Sequence, residues 1–359
     1  MRFVLAIMLG FSVWITSARA AEFDHAGLAR QTLERHIRPG YEQLLGAAGK
    51  LEIAIETFCK APPGSDLKPV KDAFSEALLA WSRIEHLRFG PIMKKTRHAR
   101  MVYWPDPKGL GRKQVAAALE AHDESVATTE TLQGKSVALQ GFGALEYILF
   151  AKGSDQLSRP GAARKHRCAF MQAIAANITH ISREVLKQWS QAGGYTAIFL
   201  QPGPGNAAYL EPDEVTLEIA KSFIIGLQMV RDIRIAGPLG LQRKNSRRQR
   251  AAFESSGLST MTITANLVGL VHMYQEAGLM ERIGAHEAGM GKAIQSDLVQ
   301  SLKTLRSISL PMKAAVEDPD SEDKLMAVGF PLRNARGEAS RVLAQGAGLS
   351  LGFNALEGD

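Results

Sequence analysis

Only two cysteines, Cys59 and Cys168, occur in 359 residues, and neither lies in a CxxC pair or another metal-ligand spacing, so cysteine-built metal centres are excluded. Several enzyme signatures are also missing. There is no HExxH, no GxSxG, no phosphate-cradling glycine loop after a strand, and no histidine pair at helical spacing with a carboxylate. The methionines show no MxxM clustering of the kind that handles soft metals. Aromatic residues make up 7%, and the densest basic cluster, Arg243 to Arg250, has none interleaved, which argues against nucleic-acid binding and for a solvated basic loop.

Beyond residue 20 no apolar run approaches the roughly 20 residues that span a bilayer. The first twenty residues read instead as a secretory signal peptide: Arg2 is the positive n-region, Val4 to Ile15 the apolar core, and Ala18-Arg19-Ala20 the small-x-small cleavage site. The expected mature chain is therefore exported, most simply to the periplasm, with no transmembrane segment left after cleavage. The formal charge of +7 then drops by the two arginines of the leader to +5. In an oxidising compartment the two cysteines can close a Cys59–Cys168 disulfide; two buried free thiols are the alternative.

Apolar residues recur at spacings of three and four, as in Leu78, Leu79, Trp81, Ile84 and Leu87, which is helical periodicity. This predicts an all-α chain, with long helices near 24–60, 66–89, 135–152, 163–192, 213–235, 259–277, 287–309 and 322–346 and no sheet. The breaker-rich stretch Gln201-Pro202-Gly203-Pro204-Gly205-Asn206 divides it into an N-terminal bundle, 21–205, and a C-terminal bundle, 206–359.

The halves also resemble one another. AWSRIEHLRFGPIM aligns with LQMVRDIRIAGPLG, placing Glu85 opposite Asp232; a basic loop follows in each, Arg100 opposite Arg250; then comes an apolar helix rich in small residues, SVALQGFGALEYILF in one half and TMTITANLVGLVHMY in the other. Three elements in the same order predict an internal duplication and two similar antiparallel bundles with a cleft between them.

GFGALEYILF carries the chemistry of that cleft. Glu146 is a lone carboxylate in an apolar helix, and burying it requires an arginine, a lysine, a metal or a wet cleft beside it. Gly141 and Gly143 cost helix propensity and suit a place where another backbone or a ligand comes close. Arg88 and Arg100 are candidate salt-bridge partners. Trp104 and Asp106, in Trp104-Pro105-Asp106, offer a cleft wall and a carboxylate that caps the following segment. Glu85, His86 and, from the second half, His272 are the residues that could join Glu146 around a metal; packing roles for each are the competing expectation.

The order RFGPIMKKTRHARMVYWPD, KSVALQGFGALEYILF, RKHRCAFMQAIAANI resembles the imelysin-like family of bacterial periplasmic proteins across essentially the mature chain. The resemblance implies a duplicated two-domain helical fold, and it implies either metallopeptidase activity or a part in iron-regulated uptake. The family's GxHxxE motif falls on Gly141, Gly143 and Glu146, with Gly143 in place of the histidine, as in the branch of the family that lacks it. A catalytic zinc takes about three protein ligands, so this departure favours a non-catalytic binding component associated with iron or other metal uptake over a metallopeptidase or a scaffold for a protein partner. Iron or zinc is the implied ligand, and an iron-uptake or envelope protein the implied partner.

Overall fold

The structure, a computed structural model, describes residues 23–106, 108–242 and 248–349; the expected signal peptide and residues 243–247 of the basic cluster lie outside them. The described residues are all-helical, with no strand among them. The helices that position the sites are α1 (His25–Thr32), α2 (Arg38–Lys60), α3 (Lys68–Ile84), α4 (Leu110–Glu120), α5 (Gly141–Phe150), α6 (Ala162–Ser190), α7 (Pro212–Gln228), α8 (Ser259–Glu276), α9 (Met290–Arg306) and α10 (Pro319–Gly346). None is long and apolar enough to cross a membrane.

Helix α2 packs against α3 and α6, and α5 lies on α6; α8 packs on α9 and α10 on both α7 and α9. The two groups meet where α3 lies along α8. Gly269 of α8 faces the Arg83 carbonyl so closely that no Cβ would fit, and a Cβ at Gly40 of α2 would meet the Ile84 side chain. These two glycines let α2, α3 and α8 approach at one place.

Two helices carry a widened π turn, Leu33–Ile37 between α1 and α2 and Met229–Ile235 after α7. Each precedes a proline, Pro39 and Pro238 respectively. A proline has no N–H to donate to the preceding turn, so the ladder is locally free to widen ahead of it. Each turn turns one polar residue inward: His36 in the first and Arg234 in the second, both buried.

The helix expected over 66–89 stops at Ile84, because Glu85 and His86 leave the helix and enter the core. The one expected over 135–152 begins only at Gly141, whose φ of +68° is incompatible with a continuing right-handed helix. The one expected over 287–309 is broken off at Gly289, φ +85°, and starts at Met290. Helix α4 lies outside the expected set; its short apolar stripe, Val115, Ala118 and Leu119, is buried.

Cys59, at the end of α2, is joined by a disulfide to Cys168 in α6, and no free cysteine remains. Beside it the Arg164 guanidinium donates to the carbonyls of Phe58 and Ala61 at the α2 C-terminus and to that of Leu157.

Candidate functional site

The polar residues singled out by the sequence fall into two separate constellations. The first surrounds Glu146. It lies one turn beyond Gly143 on α5 and is 9% exposed. Its Oε1 accepts two hydrogen bonds from Ser256, from the backbone N–H at 2.8 Å and the hydroxyl at 2.9 Å. Among the described residues Oε2 has no hydrogen-bond partner. Burial raises the carboxyl above the usual carboxylate range, an effect opposed by the Ser256 hydrogen bonds and the charges of Arg250 and Arg112.

This carboxylate lines a cavity of about 220 Å³ enclosed by the 102–112 segment, α5 and the 250–253 segment. Trp104, Tyr147 and Phe253 supply aromatic wall, and Arg112 and Arg250 supply charge. Arg112 also sits 5.3 Å from the centre of the Tyr147 ring, in cation–π contact. Asp106 faces the cavity, but both its oxygens are engaged by the backbone N–H groups of Leu110 and Gly111, so it caps α4.

The close backbone approach read from the glycines occurs at Gly141 alone. A Cβ there would collide with the carbonyls of Arg100 and Met101, whereas a Cβ at Gly143 would meet nothing within 4 Å. Neither Arg88 nor Arg100 pairs with Glu146: Arg88 contacts His98 at 3.5 Å, and Arg100 donates to Thr96 on the surface.

The second constellation is built on Glu85 and His86. The Arg234 guanidinium donates to both Glu85 oxygens, at 2.5 and 2.7 Å, and Asn266 of α8 donates to Oε2 at 3.0 Å. Burial would raise Glu85, but Arg234, with His98, Asn266 and Arg88, brings it below the ordinary carboxylate range. His86 Nε2 lies 3.0 Å from His36 Nε2, and His36 Nδ1 lies 3.0 Å from His272 Nδ1. Burial pushes His86 down to about 3 and His36 well below its usual range.

The proposed metal set is thus not brought together. Glu146 is held by Ser256, Glu85 by Arg234, and the histidine nitrogens pair along a chain. Among the described residues no three His, Cys, Asp or Glu side chains are grouped to hold a metal ion. Around Glu146 the donor set, one carboxylate oxygen beside two guanidiniums, does not fit a bare cation.

The sequence reading missed Arg112, Ser255, Ser256, His36 and Arg234. His36 and Arg234 carried a signal, each being polar on the apolar face of its helix. Ser256 carried none, since its role comes from a loop meeting a helix over a hundred positions away.

The family model described as imelysin, peptidase family M75, matches residues 37–330. The chain belongs to the imelysin family. It is 26% identical over 245 residues to the iron-regulated protein A of Synechococcus elongatus, a match spanning 66% of this chain and 63% of that relative. Two solved structures share the fold. One is an imelysin-like protein from Psychrobacter arcticum, 20% identical, TM-score 0.73, covering 92% of this chain and 99% of that one. The other is described as a putative iron-regulated protein A precursor from Parabacteroides distasonis, 14% identical, TM-score 0.73, covering 91% and 97%.

Proposed function

We propose that this imelysin-family chain is exported to the periplasm and serves there as a non-catalytic binding component associated with iron uptake, its ligand held in the cavity beside Glu146. On this reading the two halves, 21–205 and 206–359, arose by duplication, and the ligand sits where they meet. The observation that carries it is the Glu146–Ser256 bridge: a residue of the first half that lines an aromatic-walled cavity grips a loop of the second. The similarity to an iron-regulated protein supports the link to iron.

The donor set supports binding without catalysis. Metal-assisted hydrolysis wants an open coordination position on about three protein ligands, and Glu146 offers one oxygen. The test is genetic and cellular. A strain deleted for the gene should grow more slowly than its parent in medium depleted by an iron chelator, be restored by added iron, and carry the complementing protein in its periplasmic fraction. Equal growth of deletion and parent under chelation, or protein found only in the cytoplasm, would overturn the reading.

A further inference from the structure

The cavity beside Glu146 is lined by two arginines that form no ion pair with its carboxylates among the described residues. Arg112, from α4, and Arg250, from the loop before α8, both donate to one uncharged atom, Ser255 Oγ, at 3.2 and 2.9 Å. Guanidiniums do not lose their proton in proteins, so the two cavity-lining arginines bring two positive charges onto one hydroxyl. Among the described residues neither Asp106 nor Glu146 forms an ion pair with them. Asp106 is bound by two backbone amides, Glu146 Oε1 by Ser256, and only Glu254 approaches Arg250, at 3.5 Å on the partly exposed rim.

The next residue along the same loop sets the second half of the arrangement. Ser255 gathers the arginines and Ser256 holds Glu146, so the positive point and the carboxylate are fixed by neighbouring residues, whose Cα atoms lie about 3.8 Å apart. A ligand that satisfies both needs an anionic group and a hydrogen-bond donor on adjoining atoms. Trp104, Tyr147 and Phe253 favour an apolar or planar body behind them. A neutral O–H suits Glu146 Oε2 better than an ammonium, which the two guanidiniums would repel; the same repulsion acts on a bare metal ion.

We propose that this cavity binds a small hydroxy-carboxylate, its carboxylate on Arg112 and Arg250 and its neighbouring hydroxyl on Glu146, in preference to a bare metal ion. The proposal rests on the reading above for the location of the ligand site and adds the ligand's chemistry. A carboxylate with an adjoining hydroxyl is also a two-oxygen chelator of hard cations, which is how such a ligand would connect with iron.

The test is calorimetric titration of the full chain with salicylate, with salicylamide, which keeps the ring and hydroxyl but lacks the charge, and with zinc and ferric ions. Salicylate should bind at one site, and salicylamide at least tenfold more weakly. Arg112→Gln and Arg250→Gln should each weaken salicylate tenfold or more with unchanged thermal melting; Arg250 is on the surface, so its variant remains informative if Arg112→Gln does not fold. Equal binding of salicylate and salicylamide, no binding of salicylate, or stoichiometric zinc or iron binding that Glu146→Gln abolishes would each overturn the proposal. Failure of salicylate together with an iron-dependent growth defect in the deletion strain removes the ligand class and leaves the uptake role. Salicylate binding without that defect does the reverse.

Discussion

The Nε2 atoms of His36 and His86 face one another at 3.0 Å in the closed interior, so one ring must donate and the other accept. His86 Nδ1 is buried with no partner. An orphaned N–H is rarer in proteins than an under-used acceptor, which assigns the proton of His86 to Nε2. His36 then accepts at Nε2 and donates from Nδ1 to His272 Nδ1, and all three rings are neutral. Nitrogen chemical shifts of the histidines should show these tautomers, His86 and His272 protonated at Nε2 and His36 at Nδ1.

Acid should therefore unfold the protein through its buried histidines. His86 is depressed to about 3 and His98 to about 4, both by burial, while the unfolded chain titrates near 6.5. A depressed histidine stabilises fully above the unfolded value, and the contribution is lost as pH falls from there toward the folded value. Within that window each such histidine contributes a slope of about 1.4 kcal/mol per pH unit. Urea midpoints measured between pH 7 and 5 should fall, and His98→Gln should flatten the fall. A midpoint constant across that range would contradict neutral burial.

Glu146 behaves in the opposite sense. Its folded pKa is raised by burial, so the charged form is the less favourable one in the fold and its cost grows as pH rises through the folded value. Glu146→Gln keeps an acceptor for Ser256 and removes the charge, and at pH 7 it should be at least as stable as the parent. Glu146→Ala strands the Ser256 donors and should lose about 1–3 kcal/mol in denaturant unfolding. Similar losses in both variants would show that the charge itself holds the loop.

How much of this was legible in the chain follows from the range over which each feature is specified. Helical periodicity is local, so the bounds of α6, 162–190 against an expected 163–192, and of α8 came out within two residues. The early end at Ile84 did not, because Glu85 is drawn out of the helix by Arg234, a partner far along the chain. A lone carboxylate in an apolar helix calls for a partner, and Arg88 and Arg100 are the arginines that the sequence offers. The partner is a loop serine fixed by tertiary structure, for which a single sequence holds no periodic signal.

The two glycines of the motif should respond oppositely to substitution. Gly141→Ala meets the Arg100 and Met101 carbonyls in a left-handed conformation and should cost more than the 1 kcal/mol or so of an ordinary αL penalty. Gly143→Ala adds a methyl group to open space on a helix and should stabilise by about 0.5–1 kcal/mol. Gly143→His should fold equally well and place a ring one turn from Glu146. Destabilisation by Gly143→His would mean that the space beside this position does not accept a ring.

The Cys59–Cys168 bridge closes a loop of 109 residues and ties the end of α2 to the start of α6, where Arg164 already binds the α2 carbonyls. Two restraints at one junction act on different states. The disulfide restricts mainly the unfolded chain and, for a loop of this length, contributes about 4.8 kcal/mol in the chain-entropy description. Arg164 acts only in the folded state, through hydrogen bonds whose loss leaves buried carbonyls unpaired. Replacing both cysteines by serine should lower the unfolding free energy by that amount while leaving the helical circular dichroism unchanged. Arg164→Met should lower it by about 1–3 kcal/mol in both the oxidised and the reduced protein. An Arg164→Met effect that vanishes on reduction would show instead that the guanidinium serves only to align the disulfide.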